Sequence, residues 1–407
     1  MPVSRGLFAK AALTGALTLA ACARGERSPP ASLIAAKVAS PVHEAKAPAP
    51  PPVVRVLVAG DVLPHRPQLL APERVRAGLA PLGPLFGKAD VAIANYETTT
   101  GSPDRFPARS LSLAASPEWM GALKAAGLGA LTNANNHACD LGKRGLDATI
   151  AAGAANGVPI LGVAEQNPWR ATKLLERDGK TLCAVAWTTF VNDGRRTCVA
   201  SGKLALAPET STGDAIVHTA IVAARRSCTA VIAIVHGGIE YEPPTAMMGH
   251  VARVAAEAGA VAVVAHHPHV VAAPRVIVTK DGRRVPFFPT LGNLVSNQGE
   301  SWKPIYPAAQ PDRRLVYLNA WTRLGMIADL SITLSDAPFA SFGHRLVWTE
   351  NAHPDDPKNP NARLVARPLD LEADADIVAK LSADAHGPAD VFDGPCRLDG
   401  DAAPTCR

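Results

Sequence analysis

Two runs of β-branched apolar residues, each ending in histidine, constrain this chain more than any other feature. Val231-Ile232-Ala233-Ile234-Val235 delivers His236, and Val261-Ala262-Val263-Val264 leads to His266, His267 and His269. A short apolar run bounded by glycine reads as a strand buried on both faces, as in a parallel sheet. In open α/β sheets, ligands bind beyond the carboxyl ends of such strands. Four imidazoles at two strand ends therefore look like half of a metal site.

Earlier segments offer the other half. A strand over 53–59 ends at Gly60-Asp61, one over 90–95 ends at Asn95 with Glu97 beyond it, and one over 128–133 precedes Asn135, Asn136 and His137. Helices are predicted over 117–126, 143–156 and 213–226, and a hairpin over 172–176 and 181–189 turns at Asp178-Gly179. Further strands are expected at 159–162, 275–278, 286–289 and 324–334. Pro274 and Pro286 suit sheet edges, because proline donates nothing to a ladder. Alternating strands and helices predict an α/β fold, and the hairpins make its sheets mixed. Strand ends carrying Asp, Glu, Asn and His suit Mn, Zn, Fe or Mg, imidazole favouring the transition metals. One or two such ions would lower the pKa of a water and clamp an oxyanion.

The N-terminus predicts export. Arg5 and Lys10 precede or open an apolar stretch that ends Leu19-Ala20-Ala21-Cys22. A charged start, a short apolar core and small residues before the cut mark 1–22 as a secretory signal. Small residues before cysteine resemble a bacterial lipoprotein box, with Cys22 as the lipidated residue. The apolar core is too short to span a bilayer. The expected product is a membrane-anchored lipoprotein on the periplasmic or cell-surface side. Residues 23–52, rich in Ala and Pro, read as a semi-rigid spacer. Residues 53–335 read as the α/β domain and 336–407 as a C-terminal extension. Six further cysteines permit disulfides in an exported protein. Cys396–Cys406 is the expected pair, Cys183–Cys198 a second pairing, and Cys139 is left free. A net charge of +5 without a dense Lys/Arg run gives no support for nucleic-acid binding.

The segments GDVLPHR, NYE, NANNHACDLG, GVPILGVAE, HGGIEYEPP, AHHPHVV and PTLGN, in this order and spacing, resemble the poly-γ-glutamate capsule synthesis (CapA-type) family. That family is similar in layout to the calcineurin-like metallophosphoesterases. The resemblance implies a four-layer α/β/β/α sandwich of mixed sheets with one or two divalent metals at its strand ends. It implies Asp61, Glu97, Asn136, His236, His267 and His269 as metal ligands. It also implies His137 as proton donor, oriented by Asp140, with Arg66 on substrate charge. Asn95, Glu240, Tyr241 and Asn293 would surround the substrate, while His266 packs nearby. Three departures stand out: Gly237 replaces a usual tryptophan, Ala265 a usual glycine, and Asp61-Val62-Leu63 the phosphoesterase Asp-x-His. His65 is either a replacement ligand or simply exposed. Three functional readings follow. The chain is a metal-dependent hydrolase or transferase acting on an anionic polymer such as poly-γ-glutamate, a non-catalytic lipoprotein that binds polymer or a membrane synthase, or a generic metal-dependent phosphoesterase.

Overall fold

Strand β1 (Val53–Val62) runs through the middle of the first sheet of the computed structural model. The structure describes residues 49–64, 71–102, 112–192, 196–309, 313–352, 363–385, 387–393, 396–397 and 405–406. Residues from Pro50 onward form one compact unit. On one side of β1, strands β2 (Val91–Tyr96), β5 (Ala130–Thr132) and β6 (Ile160–Leu161) extend the sheet in parallel. Strands β3 (Thr99–Thr100) and β4 (Ala114–Ala115) form a small separate pair. On the other side, β14 (Leu324–Thr333), β15 (Phe339–Asn351) and β16 (Leu364–Pro368) add antiparallel strands. Strand β13 (Asn293–Val295) lies parallel to the last residues of β1.

The second sheet has the order β11 (Arg275–Val278), β12 (Arg284–Phe288), β10 (Ala262–His266), β9 (Ala230–His236), β8 (Lys180–Thr188), β7 (Thr172–Arg177). Its four central strands are parallel and its outer pairs antiparallel. The hairpin β7–β8 turns at Asp178 and Gly179, both with positive φ, as a two-residue turn matched to strand twist requires.

Side-chain alternation builds the layers. Val54, Val56 and Val58 of β1 meet Ile232, Ile234 and Val264 of the second sheet in the central core. Leu57 and Ala59 point the other way, towards helices α1 (Pro72–Leu79), α2 (Glu118–Ala125) and α3 (Gly142–Asn156). On the far side, Val231, Ala233 and Val235 pack beneath α4 (Ser211–Arg225) and α5 (Ala246–Glu257). Thr210 and Thr245 cap the last two helices, each accepting a backbone N–H at the third helical residue. The result is the expected four-layer α/β/β/α sandwich.

Several expectations change. Pro286 lies inside the sheet, in β12, where the parallel ladder to β10 begins only at Phe287, so the missing N–H interrupts nothing on that side. The regular pattern fades after Ser335, yet β15 and β16 continue the first sheet. Cys139 is not free but bonded to Cys198, and Cys183 pairs with Cys228 rather than Cys198. Both corrections have one cause: packing, not spacing, brings these segments together. Cys396 and Cys406 face each other across two short strands, β17 (Cys396–Arg397) and β18 (Thr405–Cys406), but their side chains lie outside the described residues. So do Cys22, His65 and Arg66 and the whole of 1–48. No helix among the described residues is long and apolar enough to cross a membrane.

The Cys183–Cys228 bond closes a loop of 45 residues that contains helix α4. Replacing both cysteines with alanine is expected to lower stability by about 2–4 kcal/mol, through the freed unfolded chain. Urea unfolding of the double variant checks this.

Candidate metal centre

Parallel strands of both sheets end on the same side, and their ends carry the polar residues. Asp61 at the end of β1 is register partner to Asn95 on β2 and Asn293 on β13. His236 and His266 are partners across β9 and β10. Asp61, Glu97, His236, His267 and His269 are all buried. Their donor atoms form two overlapping groups, Asp61-Glu97-His236 and Glu97-His267-His269, each within 4.8 Å. Glu97 belongs to both. Its Oε1 lies 3.5 Å from His236 Nε2 and 3.7 Å from His269 Nε2.

The surrounding hydrogen bonds aim these atoms. Asn95 Nδ2 donates to Asp61 Oδ1 at 2.8 Å and lies 3.2 Å from His236 Nδ1. Asn135 Nδ2 donates to Asn95 Oδ1 at 3.1 Å. His269 Nδ1 lies 3.1 Å from Asn293 Oδ1 and 3.2 Å from Asp61 Oδ2, leaving Nε2 for the centre. Asn136 Oδ1 stands 2.9 Å from His236 Nε2. His137 Nδ1 is 2.7 Å from Asp140 Oδ2, which also accepts the Leu113 N–H. His266 Nε2 faces the carbonyl of Ala59 at 3.1 Å and packs beside the cluster, as expected. Tyr241, His267 and His269 all have positive φ, which side-chain-bearing residues rarely adopt. Backbone strain of that kind concentrates at functional sites.

The residues fit a divalent cation. Both oxygens of Glu97 are buried with no hydrogen-bond donor, and the adjacent Asp61 carboxylate can only accept. Burial, then the Asp61 and Glu240 charges, push the Glu97 carboxyl well above the usual carboxylate range. Burial would also raise Asp61, but the contact with His269 and the nearby imidazoles hold it below. Burial, reinforced by the other imidazoles, depresses His236, and burial first of all takes His267 down to about 3. Both rings are therefore neutral at pH 7, with lone pairs to offer. Burial works against His269 as well, yet its bond to Asp61 raises it. A carboxylate starved of donors among neutral imidazoles calls for positive charge, and N/O donors of this kind suit Mn, Zn or Fe.

The structure thus gathers all six residues expected as ligands, together with His137 and Asp140. Asn95 and Asn293, expected around the substrate, are buried and hydrogen-bond to Asp61 and His269 respectively. Tyr241 remains half-buried at the rim, its ring centroid 5.9 Å from that of His269 and its hydroxyl accepting from Gln298 Nε2 at 3.2 Å. Glu240 is half-buried beside it. Trp302 and Trp321 belong to the central core, and Tyr306 packs against it. A Cβ at Gly237 would lie 2.5 Å from Thr189 Oγ1 and 2.9 Å from Met248 Cε, so those side chains must shift to admit a larger residue. Sequence reasoning missed Asn192, whose Oδ1 accepts from Asn136 Nδ2 at 3.2 Å. It also missed Phe190, edge-on to His267 with centroids 4.9 Å apart. Neither sits in a motif; the only signal is their place just beyond strand β8.

The profile of the family described as bacterial capsule synthesis protein PGA_cap matches residues 55–298. PGA biosynthesis protein CapA of Bacillus subtilis (strain 168) is 27% identical over 222 residues, which is 53% of this chain and 56% of the relative. The chain thus spans little more than half the length of that curated relative. With more than half of its length matched and its fold metallophosphoesterase-like, the chain belongs to the bacterial capsule synthesis protein PGA_cap family.

Proposed function

We propose that this chain is an exported, lipid-anchored, metal-dependent hydrolase or transferase acting on an anionic polymer such as poly-γ-glutamate. The observation that carries the reading is the donor-less Glu97 carboxylate at the junction of two ligand groups. One or two divalent ions held by Asp61, Glu97, Asn136, His236, His267 and His269 would polarise a carbonyl or phosphoryl oxygen and acidify a water. His137, held by Asp140 at 2.7 Å, would hand a proton to a leaving group. Tyr241 and Glu240 stand at the rim, where substrate would be oriented, and Arg66 is the candidate for its charge. Two disulfides support an oxidising compartment, and the signal ending at Cys22 supports a lipid anchor on the periplasmic or cell-surface side. A membrane synthase complex is a fitting partner for a protein so anchored.

Metal analysis of the purified protein tests the reading. A stoichiometric divalent ion is expected, lost on His236→Ala and on His269→Ala. Assays of γ-glutamyl peptides against phosphoesters, with and without Mn²⁺ or Zn²⁺, then identify the bond. A stable, metal-free wild type, or metal without turnover, would favour the non-catalytic polymer-binding role. Turnover of phosphoesters alone would point to a generic phosphoesterase.

A further inference from the structure

We infer that Asn192 is a positioning residue: it sets the amide of Asn136 so that Oδ1, not Nδ2, faces the metal site. This rests on the metal-binding reading above and adds to it a residue on a different sheet. Asn136 lies beyond β5 of the first sheet, and Asn192 beyond β8 of the second. An asparagine amide is nearly symmetrical in shape, so which end points inward depends on what its neighbours accept and donate. Asn192 Oδ1 accepts from Asn136 Nδ2 at 3.2 Å. That turns Asn136 Oδ1 towards His236 Nε2, 2.9 Å away. With the amide reversed, an N–H pair would face the site, and an amide nitrogen is no ligand for a divalent cation.

Two further contacts of Asn192 and a nearby disulfide keep it beside Asn136. Its backbone N–H donates to the Asn136 carbonyl at 3.2 Å, so the two loops bond through main chain as well as side chain. Its Nδ2 lies 3.4 Å from His137 Nδ1, so one side chain touches both the ligand and the neighbouring proton donor. The Cys139–Cys198 disulfide staples the same two loops. Cys139 stands three residues after Asn136, Cys198 six after Asn192, and both are fully buried. Across the sandwich, the site is closed by a clamp between the sheets rather than by either sheet alone.

The test is calorimetric titration of the full-length, disulfide-intact protein with Mn²⁺. Asn192→Ala is expected to weaken binding by about 10–100-fold, the usual cost of removing a group that orients a metal ligand. Asn192→Asp keeps an acceptor for Asn136 Nδ2 and should bind within a few-fold of wild type. Wild-type affinity in Asn192→Ala, with affinity lost in a parallel His236→Ala protein, overturns the inference and leaves the metal site standing. A metal-free readout separates the two readings further. The side-chain amide signals of Asn136, followed by NMR in EDTA, should lose their hydrogen-bonded shift in Asn192→Ala and keep it in Asn192→Asp. If wild type takes up no Mn²⁺, the metal reading fails, while unchanged Asn136 signals in Asn192→Ala would still refute the positioning role.

Discussion

Replacing Glu97 with glutamine is expected to lower divalent-metal affinity by at least about 100-fold, while leaving the metal-free protein folded and roughly 1–3 kcal/mol more stable. The two effects share one cause. Glu97 is buried with both oxygens lacking a donor, beside a second carboxylate at Asp61. Without a cation, that arrangement costs free energy; with one, the same negative charge is the strongest reason for the ion to bind. Glutamine keeps the shape, removes the charge and can donate to Asp61. A pH signature follows. In the metal-free wild type, the raised Glu97 carboxyl holds its proton more tightly folded than unfolded. Stability therefore falls as pH rises above the ordinary glutamate value, because the native state binds more protons there than the unfolded one. Glu97→Gln lacks that component. Titration with Mn²⁺ and urea unfolding in EDTA at several pH values measure all three effects. A variant that binds metal normally and is no more stable would remove Glu97 from the centre of the site.

The cluster of Asp, Glu and His could be read from sequence because buried parallel strands announce themselves. Continuous apolar runs such as 231–235 can sit only between two covered faces, and the first polar residues beyond them must lie at the carboxyl end of the sheet. Asp61, Glu97, His236, His267 and His269 all follow such runs, so their convergence was foreseeable. What surrounds them was not. The disulfide between Cys139 and Cys198 spans 59 residues and joins loops from different sheets. No spacing rule encodes that contact. Asn192 belongs to no sequence motif, and its contact with Asn136 appears only when the segment after β8 is set beside the one after β5. Strand β15 escaped for a local reason: its first eight residues, Phe339 to Leu346, contain no β-branched side chain. Its place comes from pairing with β14 along ten residues, from Leu324↔Trp348 to Thr333↔Phe339. Asn95 and Asn293 were legible as members of the site but not as supports, because only geometry shows which way a side-chain amide faces.

The second large effect should come from a residue with no side chain. Gly60→Ala is expected to destabilise the metal-free protein by roughly 3 kcal/mol and to weaken Mn²⁺ binding at least about tenfold. A Cβ at Gly60 would meet the carbonyl oxygen of Gly292 at 2.1 Å and that of Leu291 at 2.9 Å. These are backbone atoms, so no rotamer change relieves the clash. The next glycine is equally hemmed in: Gly292 has φ +60°, and a Cβ there would meet the Leu324 carbonyl at 2.7 Å. A Cβ at Gly325, its partner on β14, would meet the Asn293 carbonyl at 2.0 Å. Three main chains therefore touch at this point, and the Asp61 N–H donates to the Gly292 carbonyl at 2.9 Å. A methyl group inserted here must push β1 away from residues 291–292 and from the start of β13, and Asp61 parts from the Asn293 that bonds His269. Stability and metal affinity should fall together, because one contact sets both. Gly343→Ala is the control, since nothing lies within 4 Å of its added carbon and its φ is not positive. That variant should match or slightly exceed wild-type stability. If Gly60→Ala unfolds like wild type and binds Mn²⁺ unchanged, the close approach of β1 to residues 291–293 does not hold the site together.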